Sequence, residues 1–536
     1  MRVLPFRREP WQLPDRIDGV RGMPLGQWLR GRRDGGEPFP TLPDQARFEK
    51  PNEIGFATGA LDGVAAFHGF GGDKPDLPGA IVRRLAAVID SPEPGIPLRE
   101  LYAAVVDRPP LDYIDKALTQ LRNRTDLRKD RLHAIGHWLL DHSTDRNPVK
   151  LGIALLPIEP CGNDDDLLRL FGGHDEFTLY AVVAAANVSV DPEPLIFEVA
   201  KSVHGWGRIH AVRRLLQTSN PEIKDWLLVE GFRNGVMNEY LAYGAAVAGD
   251  LLTALNEPSI SDPLFHSAGE LLAALVTGGP AEDIGDYDHP VDVVEQYLRH
   301  AEAHELDVDD LHSISMIRYY VADTERLSKG SAKAWTAARR QRAVERCVSL
   351  VNSAPSRALL EGIAATPTSM AFARALPLAK EVGIDVMPGL RARIAARPED
   401  AWAWAALLSE CDANSIDDAL TWAQSLLPIT EIGTGPDMLL GLGPHFAVNG
   451  VVDTILRSLR KHPGYGVTIV EVALKSPVIR NRWGALLVLG HWTPEKWPEG
   501  IAVRVQEMMA VEPQDKTRRK ARDLLAASGH SVTEQD

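Results

Sequence analysis

The sequence predicts an all-α protein in which short amphipathic helices stack into an α-solenoid. Between Pro192 and Arg233, apolar residues recur at helical spacing in three runs, and each run is bounded by Pro, Gly or Asn. A helix with one apolar face must bury that face against a neighbour, so a series of such helices is stable only when it is stacked. We find no convincing strand pattern elsewhere in the chain.

A recurring motif supports the stacked arrangement. The pattern Arg-x-x-Ala-x-x-x-Leu occurs three times, at Arg208/Ala211/Leu215, Arg482/Ala485/Leu489 and Arg518/Ala521/Leu525. The small Ala lets paired helices approach, and the Leu fills the groove between them. The Arg is expected to lie along a neighbouring turn.

The last two copies are 36 residues apart, a spacing typical of two-helix repeats of about 34 to 47 residues. The motif resembles that of the HEAT/armadillo superfamily, whose second helix carries Val-Arg-x-x-Ala-x-x-x-Leu; the chain departs from it at the Val position. The resemblance implies a superhelix of roughly a dozen stacked helical pairs.

Caps and breakers predict the helix bounds, for example Leu127–His142, Met237–Leu255, Asp262–Thr277 and Val308–Ala322. Residues 1–79 are rich in Pro, Gly and Arg and are expected to form an irregular N-terminal cap over the first helices. Residues 80–435 are expected to form the repeat array. Residues 436–536 are expected to form C-terminal helical repeats after a Gly-rich break.

Composition narrows the function classes. The chain has 536 residues, 45% of them apolar, and a net charge of −15. This charge disfavours a general attraction to nucleic acid or anionic lipid. The longest apolar run is interrupted by Asp250, so we expect no membrane partner.

The cysteines and the N-terminus predict a cytoplasmic protein. Cys161, Cys347 and Cys411 are far apart and give neither metal nor redox spacing, which fits a reducing compartment. The charged start of the chain lacks the apolar region of a secretory signal.

The leading functional prediction is a non-enzymatic scaffold that holds a protein or peptide partner in a concave groove, because stacked repeats build long binding surfaces. The most specific polar segments between helices nominate seven residues for a recognition ridge: Trp206, Arg208, Arg233, Asn234, Asn238, Glu239 and Tyr240. Turns explain the Asn residues, but no turn requires Glu239 and Tyr240.

A basic segment gives the first alternative, binding of nucleic acid through a helix at 332–346. Its cations are Lys333, Arg339, Arg340, Arg342 and Arg346. They could contact the phosphates of a nucleic acid, or they could form a solvated face that pairs with an acidic neighbour.

The second alternative is a metal-dependent enzyme without a marked site. His133, His137 and Asp141 are spaced i, i+4 and i+8 and could hold a divalent metal on one helix face. The glutamate that follows the first His in HExxH enzymes is missing. The acidic run 164–166 is interpreted as the first turn of a helix. Because no catalytic motif is present, we expect no enzyme, no cofactor and no metal.

Overall fold

The computed structural model describes residues 11–32, 41–47, 55–69, 76–159, 164–328 and 333–529. Within these ranges the chain is helical and contains no strand, which confirms the all-α class. A single isolated bridge pairs Leu439 with Val478. The chain divides into two compact units, and the Gly-rich break near residue 436 lies inside the second.

Unit 1 comprises Met1–Lys50 and Ile54–Leu350. Its described helices are α1 (Leu25–Arg32), α2 (Ala60–His68), α3 (Asp76–Asp90), α4 (Gly95–Val105), α5 (Ile114–Asn123), α6 (Lys129–His142), α7 (Arg146–Leu155), α8 (Asp165–Gly172), α9 (Asp175–Val188), α10 (Pro192–Ser202), α11 (Trp206–Leu215), α12 (Pro221–Trp226), α13 (Ala242–Ala248), α14 (Leu251–Asn256), α15 (Asp262–Thr277), α16 (Pro290–Ala301), α17 (Val308–Ala322) and α18 (Ala337–Val351), the last of which ends one residue past the division.

Unit 2 comprises Pro51–Glu53 and Val351–Asp536. Its described helices are α19 (Ala354–Ala364), α20 (Phe372–Glu381), α21 (Met387–Ala396), α22 (Ala401–Leu408), α23 (Ile416–Leu426), α24 (Ala447–Leu459), α25 (Val467–Leu474), α26 (Ile479–His491), α27 (Ile501–Val511) and α28 (Asp515–Ala527).

Local capping explains why two helices have the bounds that the sequence predicts. Before α17, the Asp307 carboxylate accepts hydrogen bonds from the N–H groups of Asp309 and Asp310, and the Asp310 carboxylate accepts from the Asp307 N–H. Before α15, Ser261 accepts from the N–H of Leu264. These caps stop both helices from extending further toward the N-terminus.

The prediction of one helix over Met237–Leu255 is wrong. The structure breaks this segment into a short 3₁₀ turn, α13 and α14. Asp250, between α13 and α14, has φ 63°, the one positive φ at a described residue other than glycine. Asp tolerates this left-handed geometry because its short polar side chain can bond locally, so the chain can turn there.

The N-terminal segment, expected to be irregular, contains α1 and α2. Helix α2 has the sequence ALDGVAAFH, in which glycine lowers the intrinsic helix propensity. Its helical form depends on packing against other helices of unit 1, among them α9 and α11.

The repeated Arg motif has the same structural role in all three copies. Each guanidinium donates a 2.7 Å hydrogen bond to a main-chain carbonyl in the turn before its own helix: Arg208 to Val203, Arg482 to Ser476 and Arg518 to Glu512. The Ala and Leu positions of all three copies are buried. The expectation that each Arg lies along a neighbouring turn is therefore confirmed.

Each of several helices contacts the next helix but one in the chain, and we call such a series in-line helices. In unit 1, α7 contacts α9 and α9 contacts α11, and each of the three pairs with the helix before it. In unit 2, α24, α26 and α28 form a similar line, with α25 and α27 packed beside them. None of the described helices has the length and apolar character needed to cross a membrane.

Candidate functional site

The first turns of three in-line helices of unit 1 form a continuous polar edge. Helices α7, α9 and α11 begin 29 and 31 residues apart. The N–H groups of Gly205 and Gly207 donate to Asp175 Oδ1 at 2.9 and 2.7 Å. The Arg146 guanidinium lies 3.4 Å from Glu176. We call this edge, residues 145–150, 174–178 and 205–210, the ridge.

A separate part of the chain lies across the ridge. Residues 41–47 and 55–69, here called the strap, contact all three helices. The Asp44 carboxylate accepts from the Arg146 N–H and from its guanidinium, each at 2.8 Å. The Gly59 N–H donates to Glu176 Oε2 at 2.8 Å. Asp62 Oδ2 lies 2.6 Å from Lys150 Nζ. The strap therefore contacts residues that are 88 or more positions away in the sequence.

Two glycines permit this close contact. Gly59 has φ 73°, and a Cβ placed there would lie 2.5 Å from the Asp175 carbonyl oxygen. A Cβ at Gly63 would lie 2.1 Å from the indole ring of Trp206. Any larger residue at either position would push the strap away from the ridge.

Buried charges hold the strap in place. Lys150 is only 3% exposed, and its ammonium bridges Asp62 and Glu176 at 2.6 Å each. Burial lowers the pKa of Lys150, but the charges of Glu176 and Asp62 outweigh it, so the pKa stands above its usual value. Burial raises the pKa of Glu176, but Lys150 and Arg146 more than offset it, and this pKa is lowered. Both groups are therefore charged at neutral pH.

An aromatic cluster holds the C-terminal end of the strap. The Phe67 ring lies 4.9 Å from the Tyr240 ring and 5.7 Å from the Trp206 ring, measured between centroids. His68 Nε2 lies 3.0 Å from the Tyr240 hydroxyl. Beneath Phe67, His210 is buried, and its Nε2 has no hydrogen-bond partner within the described ranges.

This arrangement is suited to recognition. A protonated, doubly paired Lys150 lacks the free amine that a catalytic base or nucleophile needs. What the ridge offers is two buried cations, Arg146 and Lys150, next to an aromatic surface. Such a surface is complementary to a segment that supplies carboxylates and an apolar side chain at matching positions, and the strap supplies them.

The structure brings two of the predicted recognition residues, Trp206 and Tyr240, into contact with the strap. The others have internal partners. Arg208 binds main-chain carbonyls and the Glu230 carboxylate. Arg233 and Asn238 both donate to Glu270. Asn234 forms hydrogen bonds within its own turn, and Glu239 packs on Gly279.

The predicted basic helix is α18, and it has an acidic neighbour. Arg339 pairs with Asp292 and Glu295 of α16 at 2.6 Å each, and Arg346 pairs with Glu302 at 2.7 Å. Arg340 lies on the same helix, as does the exposed Arg342, and the exposed Lys333 precedes it. This geometry favours a solvated face that pairs with acidic side chains over a surface that contacts nucleic-acid phosphates.

The metal candidates separate into two places. His133 and His137 face each other on α6, with ring centroids 4.6 Å apart. Asp141 instead pairs with Arg30 at 3.0 Å. The carboxylate beside the two imidazoles is Asp164, which precedes α8.

Sequence reasoning missed the charged residues that hold the strap: Asp44, Asp62, Arg146, Lys150 and Glu176. One signal was available, because Gly59 and Gly63 place two glycines one helical turn apart around Asp62. Glycines on one face of a short helix indicate a close contact with another backbone or ring.

No protein-family model, no curated protein and no solved structure matches this chain.

Proposed function

We propose that the chain is a non-enzymatic helical-repeat scaffold of the HEAT/armadillo-like α-solenoid type, which binds a protein or peptide partner on its ridge. The in-line helices α7, α9 and α11, each paired with its preceding helix, support the solenoid arrangement. The three Arg-x-x-Ala-x-x-x-Leu copies, with their shared hydrogen bond, support repeated units.

The observation that carries the proposal is the grip of the ridge on the chain's own strap. A helical segment, α2, is held by Lys150 at a carboxylate and by Trp206 at a glycine, while Phe67 contacts Trp206 and Tyr240. These are the contacts by which grooves bind helical peptides in other proteins. The partner is therefore a helical segment with an acidic residue and an aromatic residue in the register of Asp62 and Phe67.

Exchange between strap and partner is energetically feasible only for such a segment. Removing Asp62 without replacement leaves Lys150 with part of its charge unpaired, and breaking a buried ion pair costs about 3 to 5 kcal/mol. A partner carboxylate in the same place restores the pair. Specificity then comes from the penalty on segments that lack the acid.

The test uses the full chain and a fluorescent peptide with the sequence of residues 55–69. In the wild-type protein the strap occupies the ridge, so we expect little binding by fluorescence anisotropy. The variant Gly63→Leu, whose side chain collides with Trp206, should expose the ridge and bind the peptide. A peptide in which Asp62 is replaced by Lys is the matched control and should bind at least about tenfold more weakly.

Circular dichroism and hydrogen exchange in α7, α9 and α11, the helices that carry the ridge, establish that the Gly63→Leu variant is folded. A folded variant that binds neither peptide would refute the ridge as a binding surface. Equal binding of both peptides would refute recognition of the acid. Capture with the Gly63→Leu variant, analysed by mass spectrometry, would then identify natural partners. These partners should carry an acidic and an aromatic residue at the spacing of Asp62 and Phe67.

A further inference from the structure

Two imidazoles and one carboxylate converge between α6 and α8. His133 and His137 are one helical turn apart on α6, and Asp164 is the residue before α8. Each imidazole Nε2 lies 2.9 Å from a different oxygen of the Asp164 carboxylate. One donor atom from each residue can be chosen so that all three lie within 4.8 Å of one another.

The carboxylate in this cluster is buried, and its side-chain partners within the described residues are imidazoles. The Asp164 side chain is 6% exposed and that of His133 is 10% exposed. Within the described ranges, its side-chain partners are the two imidazoles, and no Lys or Arg pairs with it. Burying an ionised carboxylate is costly unless a cation or several hydrogen bonds compensate. A divalent cation would provide this compensation.

We propose that His133, His137 and Asp164 form a binding site for a divalent transition metal of the zinc class. Two imidazole nitrogens and one carboxylate oxygen suit zinc and its neighbours, whereas calcium and magnesium require oxygen ligands. With bonds of about 2.0 to 2.2 Å, tetrahedral ligand atoms lie about 3.3 to 3.6 Å apart. Each imidazole Nε2 is 2.9 Å from one carboxylate oxygen, and the three ligand atoms lie within 4.8 Å of one another. Small movements of the side chains would therefore bring them to metal-ligand spacing.

The exposure of His137 gives the ion a route to the site, and three protein ligands leave a coordination position open. The His137 side chain is 34% exposed, whereas His133 and Asp164 are buried beneath it. An ion bound by three protein atoms keeps at least one position for water or another molecule. This distinguishes the cluster from closed structural zinc sites, which use four protein ligands.

A second cluster provides the control. His266 lies 2.8 Å from Asp310 and 3.9 Å from Asp307. Both carboxylates already accept the hydrogen bonds of the capping box before α17. These carboxylates therefore have a structural role that His133, His137 and Asp164 do not share, and His266 is a matched position for substitution.

The test is metal binding by the chelator-treated full chain. Zinc is titrated in competition with a chromophoric chelator, and cobalt is titrated while its visible absorption is recorded. We expect one equivalent per chain for each metal and a cobalt spectrum typical of low coordination with nitrogen ligands. Loss of an outer-shell partner weakens metal binding about 10- to 100-fold. The variants His137→Gln and Asp164→Asn remove direct ligands, so each should weaken zinc binding by more than this.

The His266→Gln variant should bind zinc as the wild type does. Absence of a stoichiometric site in the wild-type protein would overturn the proposal, and this result does not depend on how any variant folds. Wild-type affinity in both His137→Gln and Asp164→Asn would also overturn it, because the metal would then reside elsewhere.

Discussion

The in-line helices of the two units satisfy their buried polar groups in different ways. In unit 2, Arg482 and Glu512 are both completely buried and pair at 2.6 Å. In unit 1, Arg146 is likewise 30 residues before its acidic neighbour, Glu176, but the separation is 3.4 Å. Glu176 is shared with Lys150 and with the strap.

This difference teaches that neighbouring helix pairs can complete a buried ion pair, but an extra buried cation needs an additional segment. Arg482 finds its partner in the turn before the next in-line helix, α28, and also donates to the Asp437 carbonyl. Lys150 has a second carboxylate only because the strap brings Asp62 to it. The Arg482 pair is completed by the turn before the next in-line helix, whereas the Lys150 network depends on a distant part of the sequence.

The largest expected effect is that of Lys150→Met, which breaks the unit 1 network. It leaves Asp62 and Glu176 buried without their shared cation, so we expect a loss of about 5 kcal/mol, at the upper end for a broken buried pair. Hydrogen exchange should show lost protection in the strap and α9 while α26 is unchanged. The control Lys201→Met, at an exposed position, should change stability by less than about 0.5 kcal/mol.

Arg482→Met should have the next largest effect, about 3 to 4 kcal/mol, because one carboxylate rather than two is left unpaired. Protection should be lost in α26 and α28, with the strap unaffected. Adding Glu512→Leu should recover most of the loss, because the unpaired charge is removed. For Lys150→Met, no single second substitution should recover the lost stability, because two carboxylates are left unpaired. Full recovery by one substitution would contradict the shared network.

Gly63→Ala tests the close contact of the strap alone. The added Cβ meets the Trp206 ring, and we expect a loss of up to about 3 kcal/mol confined to the strap, measured by hydrogen exchange. Gly31→Ala is the control, because nothing lies within 4 Å of a Cβ there and Ala favours the helix. Equal effects of the two variants would mean that the contact does not limit stability.

Acid should weaken unit 1 through His210. Burial first, and then the nearby Arg213 and Arg214, lower the pKa of His210 from 6.5 to about 4. The unfolded state therefore takes up a proton at a higher pH than the folded state does. The depressed pKa of His210 therefore adds to the free energy of unfolding above pH 6.5. This contribution decreases as the pH falls toward 4 and is about 2 kcal/mol smaller at pH 5.

Urea unfolding at pH 7 and pH 5 measures this decrease. In a His210→Phe variant the difference between the two pH values should shrink by about 2 kcal/mol. An unchanged difference would show that His210 is not responsible.

The sequence predicts what local physics controls and misses what depends on distant packing. Cap residues such as Ser261 and Asp307 act within one turn, so the bounds of α15 and α17 could be predicted. The pairing of His133 with His137 follows from helical spacing. The third member, Asp164, immediately precedes α8. The sequence predicts it only as part of an acidic first turn, because nothing local shows that its carboxylate faces α6.

The strap shows the same limit more strongly. Asp62 and Lys150 are 88 positions apart, and neither residue carries a local signal that it is buried. Lysine is almost never fully buried unless it is paired, so a sequence-based reading places Lys150 at the surface. Only the packing of α2 against α9 and α11 reveals the pair.

The order of synthesis has a consequence for how unit 1 is completed. The strap is translated before the ridge. The partner of Gly59, Glu176, follows 117 residues later, and the partner of His68, Tyr240, follows 172 residues later. At about 5 to 20 residues per second, Glu176 is made roughly 6 to 23 s after Gly59. During this interval the Asp62 carboxylate and the Phe67 ring have no ridge to bind, whereas Glu512 follows Arg482 within roughly 2 to 6 s. The strap, an early part of unit 1 to leave the ribosome, thus reaches its native contacts only after much later residues are made.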